Sequence, residues 1–152
     1  MSNDDKFEFG SAEWIHAVRG VFEKAVASAA ESGELDDGFE FSICELYNKV
    51  PSRINPTNRV AWLMRVKHSI LSFVAEEADD VDFKLVGDYE VIGPLTRVMY
   101  DEAGVPPPEV MSAITTASLE GTFKTEIRPA RAGQAVTSLF SGTHNAIVRF
   151  TR

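Results

Sequence analysis

The chain has 152 residues, 44% of them hydrophobic and 25% charged, and a formal net charge of −8 at pH 7, which is ordinary for one globular domain. The acidic balance argues against nucleic acid and anionic membranes as partners, because their phosphates attract basic surfaces. No apolar run approaches the roughly 18 residues that span a membrane, and the single cysteine excludes an internal disulfide and a cysteine-based zinc site.

The N-terminal segment MSNDDKFEFG is acidic and has no apolar core of signal-peptide length. We therefore expect residues 1–10 to form a disordered tail and residues 11–152 to form a single domain. The expected location is the cytoplasm.

A leading helix is predicted from Ser11 to Ser32. Ser11 is a suitable N-cap and Gly33 suits the position just after the helix. Apolar residues recur between these two at three- and four-residue steps, which is typical of a helix with one buried stripe. The stripe consists of Trp14, Val18, Val21, Phe22, Ala25, Val26 and Ala29.

Four strand-like runs follow, each short and alternating in polarity. In the first run, apolar Phe39, Phe41 and Ile43 alternate with polar Glu40 and Ser42. The long loop PSRINPTNR separates the first run from the second, and loops of this length are often functional. The runs cover residues 39–47, 60–67, 70–75 and 81–85, with a tight turn at residues 67–69.

The second half of the chain predicts three more helical stretches and one strand. Pro94 interrupts the first stretch, from Tyr89 to Met99, and Pro108 suits the first turn of the second. A fifth strand covers residues 123–127, and a last helix extends from Gly133 to Phe150. This order predicts an α+β fold with a five-stranded, mainly antiparallel sheet whose helices pack on one face.

The order of elements resembles the sterol carrier protein type 2 family. The resemblance is carried by the hairpin from Trp62 to Phe73, by VDFKLVGDYEVIGPLTRVMY at residues 81–100, and by FKTEIRPARAGQAVTSLFSGTHNAIVR at residues 123–149. It extends from Ser11 to the C-terminus and rests on element order more than on a motif. The resemblance implies that the sheet and helices enclose an apolar tunnel for a lipid.

We expect the apolar strand and helix faces to line this tunnel. The same residues also suit an ordinary filled core, since periodicity alone does not separate the two. Three of the four methionines fall on these faces, and methionine adapts well to varied apolar ligands. The predicted ligand-binding residues are Trp62, Met64, Phe73, Phe83, Leu85, Ile92, Met99, Met111, Ile114, Phe140 and His144.

The polar side chains indicate a function less clearly than the apolar faces do. His144 suits a catalytic base, but we favour a helix histidine near the C-terminal end of the last helix, where the dipole stabilises its charged form. We expect His144, Tyr89 or Arg97 to orient a ligand head group at the mouth of the tunnel. Cys44 is expected to be a packed thiol, and the acidic stretch from Glu76 to Asp82 a solvated turn rather than a calcium site.

The predicted function is the non-catalytic binding or transfer of a hydrophobic small molecule, such as a lipid, a sterol-like molecule or an acyl chain. No catalytic residue, metal ligand or cofactor is expected. An alternative is a small α+β enzyme of the cyclase or isomerase type, which needs inward-facing acids or histidines with shifted pKa values. A third is an interaction domain with a filled core. The ligand's identity and the oligomeric state stay open.

Overall fold

The computed structural model describes residues 5–128 and 142–152. Its helices and strands follow one another along the chain in the order expected from the sequence. The helices are α1 (Ala12–Glu31), α2 (Tyr89–Leu95), α3 (Pro108–Glu120) and α4 (Thr143–Phe150). The strands are β1 (Glu40–Asn48), β2 (Arg59–Lys67), β3 (Ile70–Val74), β4 (Phe83–Asp88) and β5 (Phe123–Ile127).

The strands form one five-stranded sheet in the order β3-β2-β1-β4-β5. Three neighbouring pairs are antiparallel, while β1 and β4 are parallel. His68 and Ser69 both have positive φ, as a tight two-residue hairpin between β2 and β3 requires. The predicted α+β class with a mainly antiparallel sheet is confirmed.

The two faces of the sheet differ in what covers them. Alternation along the strands places Tyr47, Trp62 and Met64 on one face, and they share a core cluster with residues of α1, α2 and α3. The opposite face carries a second, small cluster of Cys44, Leu63 and Val81, with Ala78 packed against it. Because no helix residue belongs to that second cluster, the described helices gather on one face, as predicted.

Helix α1 begins and ends where the sequence indicates. The Ser11 side chain accepts a hydrogen bond from the Trp14 backbone N–H at 3.1 Å, and Gly33 has a positive φ just beyond the helix. The buried stripe faces the sheet, where Phe22 lies against Trp62 with ring centroids 5.6 Å apart.

The prolines set the bounds of the next two helices. Helix α2 ends at Leu95, one residue after Pro94, so Met99 lies beyond it. Pro108 is the first residue of α3, and that helix stops at Gly121, whose φ of 76° is left-handed.

Residues 5–10 are attached to the core, which differs from the disordered tail that we expected over residues 1–10, of which residues 1–4 lie outside the described residues. Phe7 pairs with Thr151, and the Phe7 N–H donates to the Phe150 carbonyl at 2.7 Å. Phe9 is fully buried and packs its ring against Trp14 and Tyr47 at 4.9 and 4.7 Å. Two aromatic side chains in an otherwise polar segment supply enough apolar area to attach it to the core.

The last helix also differs from its prediction. Helix α4 starts at Thr143, so His144 lies in its first turn rather than near its C-terminal end. The earlier part of the predicted helix, including Phe140, lies outside the described residues. Within residues 5–128 and 142–152, no helix has the length and apolarity needed to cross a membrane.

The acidic stretch before β4 covers the second face of the sheet. Glu77 and Asp79 both contact Lys84, at 3.1 and 2.5 Å. The expected solvated turn holds for Glu76, Glu77, Asp79 and Asp80, which are exposed. It does not extend to Asp82, which is only 1% exposed and accepts hydrogen bonds from the Ser42 N–H and hydroxyl at 2.9 and 3.1 Å. The stretch is therefore pinned to the sheet by polar contacts.

The contact of β4 with α2 gives a test of the fold. A Cβ added at Gly87 would lie 2.6 Å from Cδ1 of the buried Ile92, so we expect Gly87→Ala to lower the free energy of unfolding by about 1–3 kcal/mol. Gly20 in α1 has nothing within 4 Å of its added Cβ, so Gly20→Ala should raise stability by about 0.5–1 kcal/mol. Urea denaturation of both variants measures this, and a Gly87→Ala protein as stable as wild type would contradict the packing described.

Candidate functional site

A cavity of about 630 Å³ lies between the helix-covered face of the sheet and α4. This volume is within the range of small-molecule sites, roughly 300–1,000 Å³. Its floor is formed by Phe41 and Ile43 of β1 and by Phe83 of β4, and Ile43 and Phe83 are direct partners in the parallel pair. The other described lining residues are Tyr100, Asp101, Glu102, Ala103, Gly104, Gly142, His144, Asn145, Ala146 and Arg149.

One wall of the cavity is held together by two hydrogen bonds between Asn145 and Tyr100. The Tyr100 N–H donates to the Asn145 side-chain oxygen at 2.8 Å, and the Asn145 side-chain nitrogen donates to the Tyr100 carbonyl at 3.0 Å. An amide side chain matches a peptide group in this way because each offers one donor and one acceptor. The pair therefore fixes the loop after α2 against α4.

His144 strengthens the same wall. Its ring stacks on the Tyr100 ring with centroids 3.6 Å apart, and its Nε2 lies 2.8 Å from the Val98 carbonyl. Since a carbonyl only accepts, Nε2 carries the proton and donates. Burial lowers the pKa of His144, partly opposed by this hydrogen bond. This corrects the expected charged form: the neutral ring is favoured, since His144 is partly buried at the start of α4 rather than placed at its C-terminal end.

A buried carboxyl lies beside the cavity floor. Glu45 is two residues beyond Ile43 on the same face of β1, and it pairs with Trp62 on one side and Leu85 on the other. The Tyr47 hydroxyl donates to Glu45 Oε2, and the Trp62 indole N–H donates to the same hydroxyl at 2.9 Å. Trp62, Tyr47 and Glu45 thus form one chain of hydrogen bonds inside the core.

Burial raises the pKa of Glu45 to about 7, and the hydrogen bond from Tyr47 opposes this only in part. The pKa of Tyr47 is raised well above its ordinary value, first by burial and then by the Glu45 charge. Burial and the Glu45 charge also raise the pKa of Tyr100, so the carboxyl acts electrostatically on a residue that lines the cavity.

The predicted ligand-binding residues occupy several environments. Phe83 and His144 line the cavity, while Leu85 and Ile114 are partly buried against the core. Met99 and Met111 are 45% and 48% exposed, and neither is among the described residues that line the cavity. The fully packed positions are Trp62, Met64 and Ile92, while Phe73 is partly buried and stacks on Trp62 at 5.3 Å. Phe140 lies outside the described residues, and the tunnel stays a prediction.

The expected head-group residues Tyr89 and Arg97 are engaged elsewhere. The Tyr89 hydroxyl donates to the Phe9 carbonyl at 3.1 Å, and the Arg97 guanidinium donates to the Arg152 carbonyl at 3.0 Å. Both side chains attach the terminal segments to the fold. Of the three, only His144 lies at the described cavity.

Sequence reasoning missed Glu45, although a signal was present. The alternation of Phe39, Phe41 and Ile43 continues through Glu45 to Tyr47, which places a carboxyl in the row that faces the helices. A charged residue in a core-facing register is rare unless it is paired or functional.

Two other candidates have structural explanations. In the loop from Pro51 to Arg59, the Asn58 side chain donates to the Val50 carbonyl at 2.8 Å, and Asn55 accepts from the Thr57 N–H at 3.0 Å. These bonds satisfy the loop's own backbone. Cys44 is fully buried on the opposite sheet face, where burial raises its pKa and disfavours a reactive thiolate.

No protein-family model and no curated protein matches the chain. Among solved structures, a sterol carrier protein 2 is similar over 94% of this chain and 99% of its own, with 16% identity and a TM-score of 0.49. A conserved hypothetical protein from Thermus thermophilus, described as a possible sterol carrier protein, is similar over 95% and 90%, with 14% identity and a TM-score of 0.47. At these identities and TM-scores, neither structure supports an inference about the function of this chain.

The raised pKa of Glu45 gives a pH-dependent prediction. Below its ordinary pKa of 4.5 the carboxyl is protonated in both folded and unfolded chains. As pH rises toward the folded pKa of about 7, the unfolded chain loses the proton first, so stability falls and stays lower at higher pH. The difference between the ordinary pKa of 4.5 and the folded pKa of about 7 corresponds to about 3 kcal/mol of folding stability. As pH rises from about 5 to about 8, we expect the free energy of unfolding of Glu45→Gln to increase by about that amount relative to that of wild type.

The measurement is urea denaturation of both proteins across this pH range, with Glu34→Gln, at an exposed carboxyl of the linker before β1, as the matched control. The control should follow the wild-type curve. Parallel curves for Glu45→Gln and wild type would show that the carboxyl is not buried as described.

The wall contacts of His144 give a second prediction. His144→Ala removes one hydrogen bond and one ring stack, so we expect unfolding free energy to fall by about 1–2 kcal/mol. His16→Ala, at an exposed position of α1, should change stability little. Thermal or urea denaturation distinguishes the two, and equal stabilities would contradict the wall contacts.

Proposed function

We propose that this protein binds a hydrophobic small molecule, such as a lipid or an acyl chain, in the cavity above Ile43 and Phe83, and holds or transfers it without chemical change. The observation that carries the proposal is the cavity of about 630 Å³ itself, set on the apolar face of the sheet. Affinity there comes from apolar burial, worth roughly 0.8 kcal/mol for each methylene.

The mixture of groups around the cavity supports this proposal. The floor is apolar, while the rim after α2 and along α4 carries polar and charged side chains such as Asp101 and Arg149. Small-molecule sites commonly combine an apolar body with a few polar groups that fix orientation. Elsewhere on the same face, Trp62 and Met64 are almost completely buried and leave no room for a ligand at their positions.

The enzyme alternative required inward-facing ionisable groups, and Glu45 is one. It is already bonded to Tyr47, and the nearest wall histidine donates its Nε2 proton to the Val98 carbonyl. We therefore assign His144 to positioning of the wall rather than to proton transfer. Turnover of a bound molecule that is lost in His144→Ala, with binding unchanged, would overturn this assignment in favour of an enzyme.

A cavity-filling substitution tests the binding proposal. Ile43→Trp places a larger ring over the cavity floor, and displacing about two methylenes of ligand costs about 1.6 kcal/mol, or roughly fifteenfold in affinity. We expect a fluorescent fatty-acyl probe to bind the wild type and to bind this variant at least that much more weakly. Titration of the probe's own emission measures both.

The matched control is Ile70→Trp, since Ile70 is 71% exposed on the edge strand β3. It should bind the probe as wild type does. Circular dichroism and denaturation establish that both variants fold. If folded wild type binds none of several acyl and ring-type probes, the proposed function is wrong.

A further inference from the structure

We propose that the Glu45 carboxyl, held by Tyr47 and Trp62, is the head-group site of the cavity and selects apolar ligands that end in a hydrogen-bond donor, a hydroxyl or an amine, over ligands that end in a carboxylate. This inference rests on the proposed function and deepens it. It names the chemistry of the ligand's polar end.

The first step concerns where the carboxyl faces. Glu45 is partly buried, with burial as the main cause of its raised pKa, and it retains accessible surface, although it is not itself among the described lining residues of the cavity. Ile43, the preceding residue on the same strand face, lines the cavity floor. A ligand lying on Ile43 and Phe83 therefore has Glu45 as the next group along β1.

The second step concerns the two carboxyl oxygens. An indole N–H only donates, so the Tyr47 oxygen accepts from Trp62 and its own hydrogen is directed to Glu45 Oε2. Among the described residues no hydrogen bond reaches Oε1, and Oε1 is not sealed from open space. One oxygen is thus fixed as an acceptor for Tyr47, and the other is left for a ligand.

The third step follows from charge. When Glu45 is ionised, Oε1 accepts from a hydroxyl and pairs more strongly with an ammonium, because hydrogen bonds with an ionised partner are about twice as strong as neutral ones. A carboxylate ligand in the same place brings a second negative charge into a region of low dielectric. It fits only when Oε1 carries a proton.

Other charged groups around Glu45 do not reverse this preference. The neighbouring strands present Trp62 and Leu85, and α1 presents Val18 and Phe22, none of which titrates. The pKa of His144 is lowered, so its change of charge falls below that of Glu45. The titratable groups of the hydrogen-bond chain and of the described cavity lining are Tyr47, Tyr100, Asp101, Glu102, His144 and Arg149, and Cys44 lies next to Glu45 on the opposite sheet face. Arg149 is the one cation among them, and it lies on the exposed rim.

The experiment measures three ligands of equal chain length, dodecanol, dodecylamine and dodecanoate, by titration calorimetry at about pH 6 and about pH 8. At the higher pH we expect wild type to bind dodecanoate more weakly than the other two ligands. At the lower pH its affinity for dodecanoate should rise roughly tenfold, because each pH unit above the carboxyl pKa lowers the protonated fraction of Glu45 about tenfold. The alcohol should bind with little pH dependence.

Glu45→Gln keeps the size and the acceptor oxygen for the Tyr47 hydroxyl, removes the charge, and leaves an amide N–H donor where the ligand meets the free carboxyl oxygen. It should bind dodecanoate at about pH 8 roughly tenfold more tightly than wild type does, lose the pH dependence, and bind dodecylamine roughly tenfold more weakly. Glu34→Gln, which removes a charge from the exposed linker before β1, is the matched control and should behave as wild type.

Arg149→Gln separates the two orientations of a bound ligand. If Arg149→Gln lowers the affinity for dodecanoate while Glu45→Gln changes no affinity, the head group of the ligand lies at the rim and the inference is wrong. Equal affinities for all three ligands, unchanged in Glu45→Gln, would also overturn it while leaving the binding function intact. If no ligand binds any folded variant, the proposed function itself fails and this inference with it.

Discussion

The fold depends on the need to cover one strongly apolar face of a five-stranded sheet. Period-two alternation places aromatic and aliphatic side chains of all five strands on that face, and their burial is the main favourable term in folding. The covering material comes from both ends of the chain, since α1 follows the N-terminal segment and α4 precedes the C-terminus. Phe7 and Thr151 pair directly, so the two ends close the layer together.

Glu45 is the exception within that face, and it has a cost. A buried carboxyl is unfavourable unless hydrogen bonds and partial protonation offset the loss of water. The chain from Trp62 through Tyr47 supplies one hydrogen bond to Glu45, and the pKa of about 7 shows that it offsets the burial only in part. The protein therefore retains the Glu45 carboxyl at some expense of stability. This carboxyl lies two residues along β1 from Ile43, which lines the described cavity. A stability role alone does not account for that placement.

Much of the fold follows from local patterns in the sequence. Ser11 and Gly33 bound α1, Pro94 and Pro108 limit the helices around them, and alternation locates the strands because a one-residue shift would expose the core. The parallel pairing of β1 with β4 has no such local signal, because it joins segments about forty residues apart in the register Ile43 to Phe83. The attachment of Phe7 and Phe9 likewise depends on partners at the far end of the chain.

The site was harder to predict than the fold for a related reason. Alternation indicates which face a residue is on, but not whether the space above that face is filled. Met99 and Met111 had suitable spacing, yet Met99 lies beyond the end of α2 and both are about half exposed. The register of Glu45 on β1 was clear from the sequence. Its proposed role, however, depends on the hydrogen bonds with Tyr47 and Trp62 and on the nearby cavity, which only the tertiary structure brings together.

The difference between the packed and the open parts of the interior follows from what covers each. Over β2, the long helix α1 brings Phe22 against Trp62, and Phe73 also stacks on that indole, which is almost completely buried. Over β1 and β4, the described cover is the short helix α4 and the loop after α2, joined through Asn145 and His144. Eight residues of helix bury less apolar area than twenty, and the floor at Ile43 and Phe83 keeps accessible surface. The described cavity therefore lies beneath the short helix α4, and the Glu45 carboxyl lies on β1, one of the two strands that form its floor.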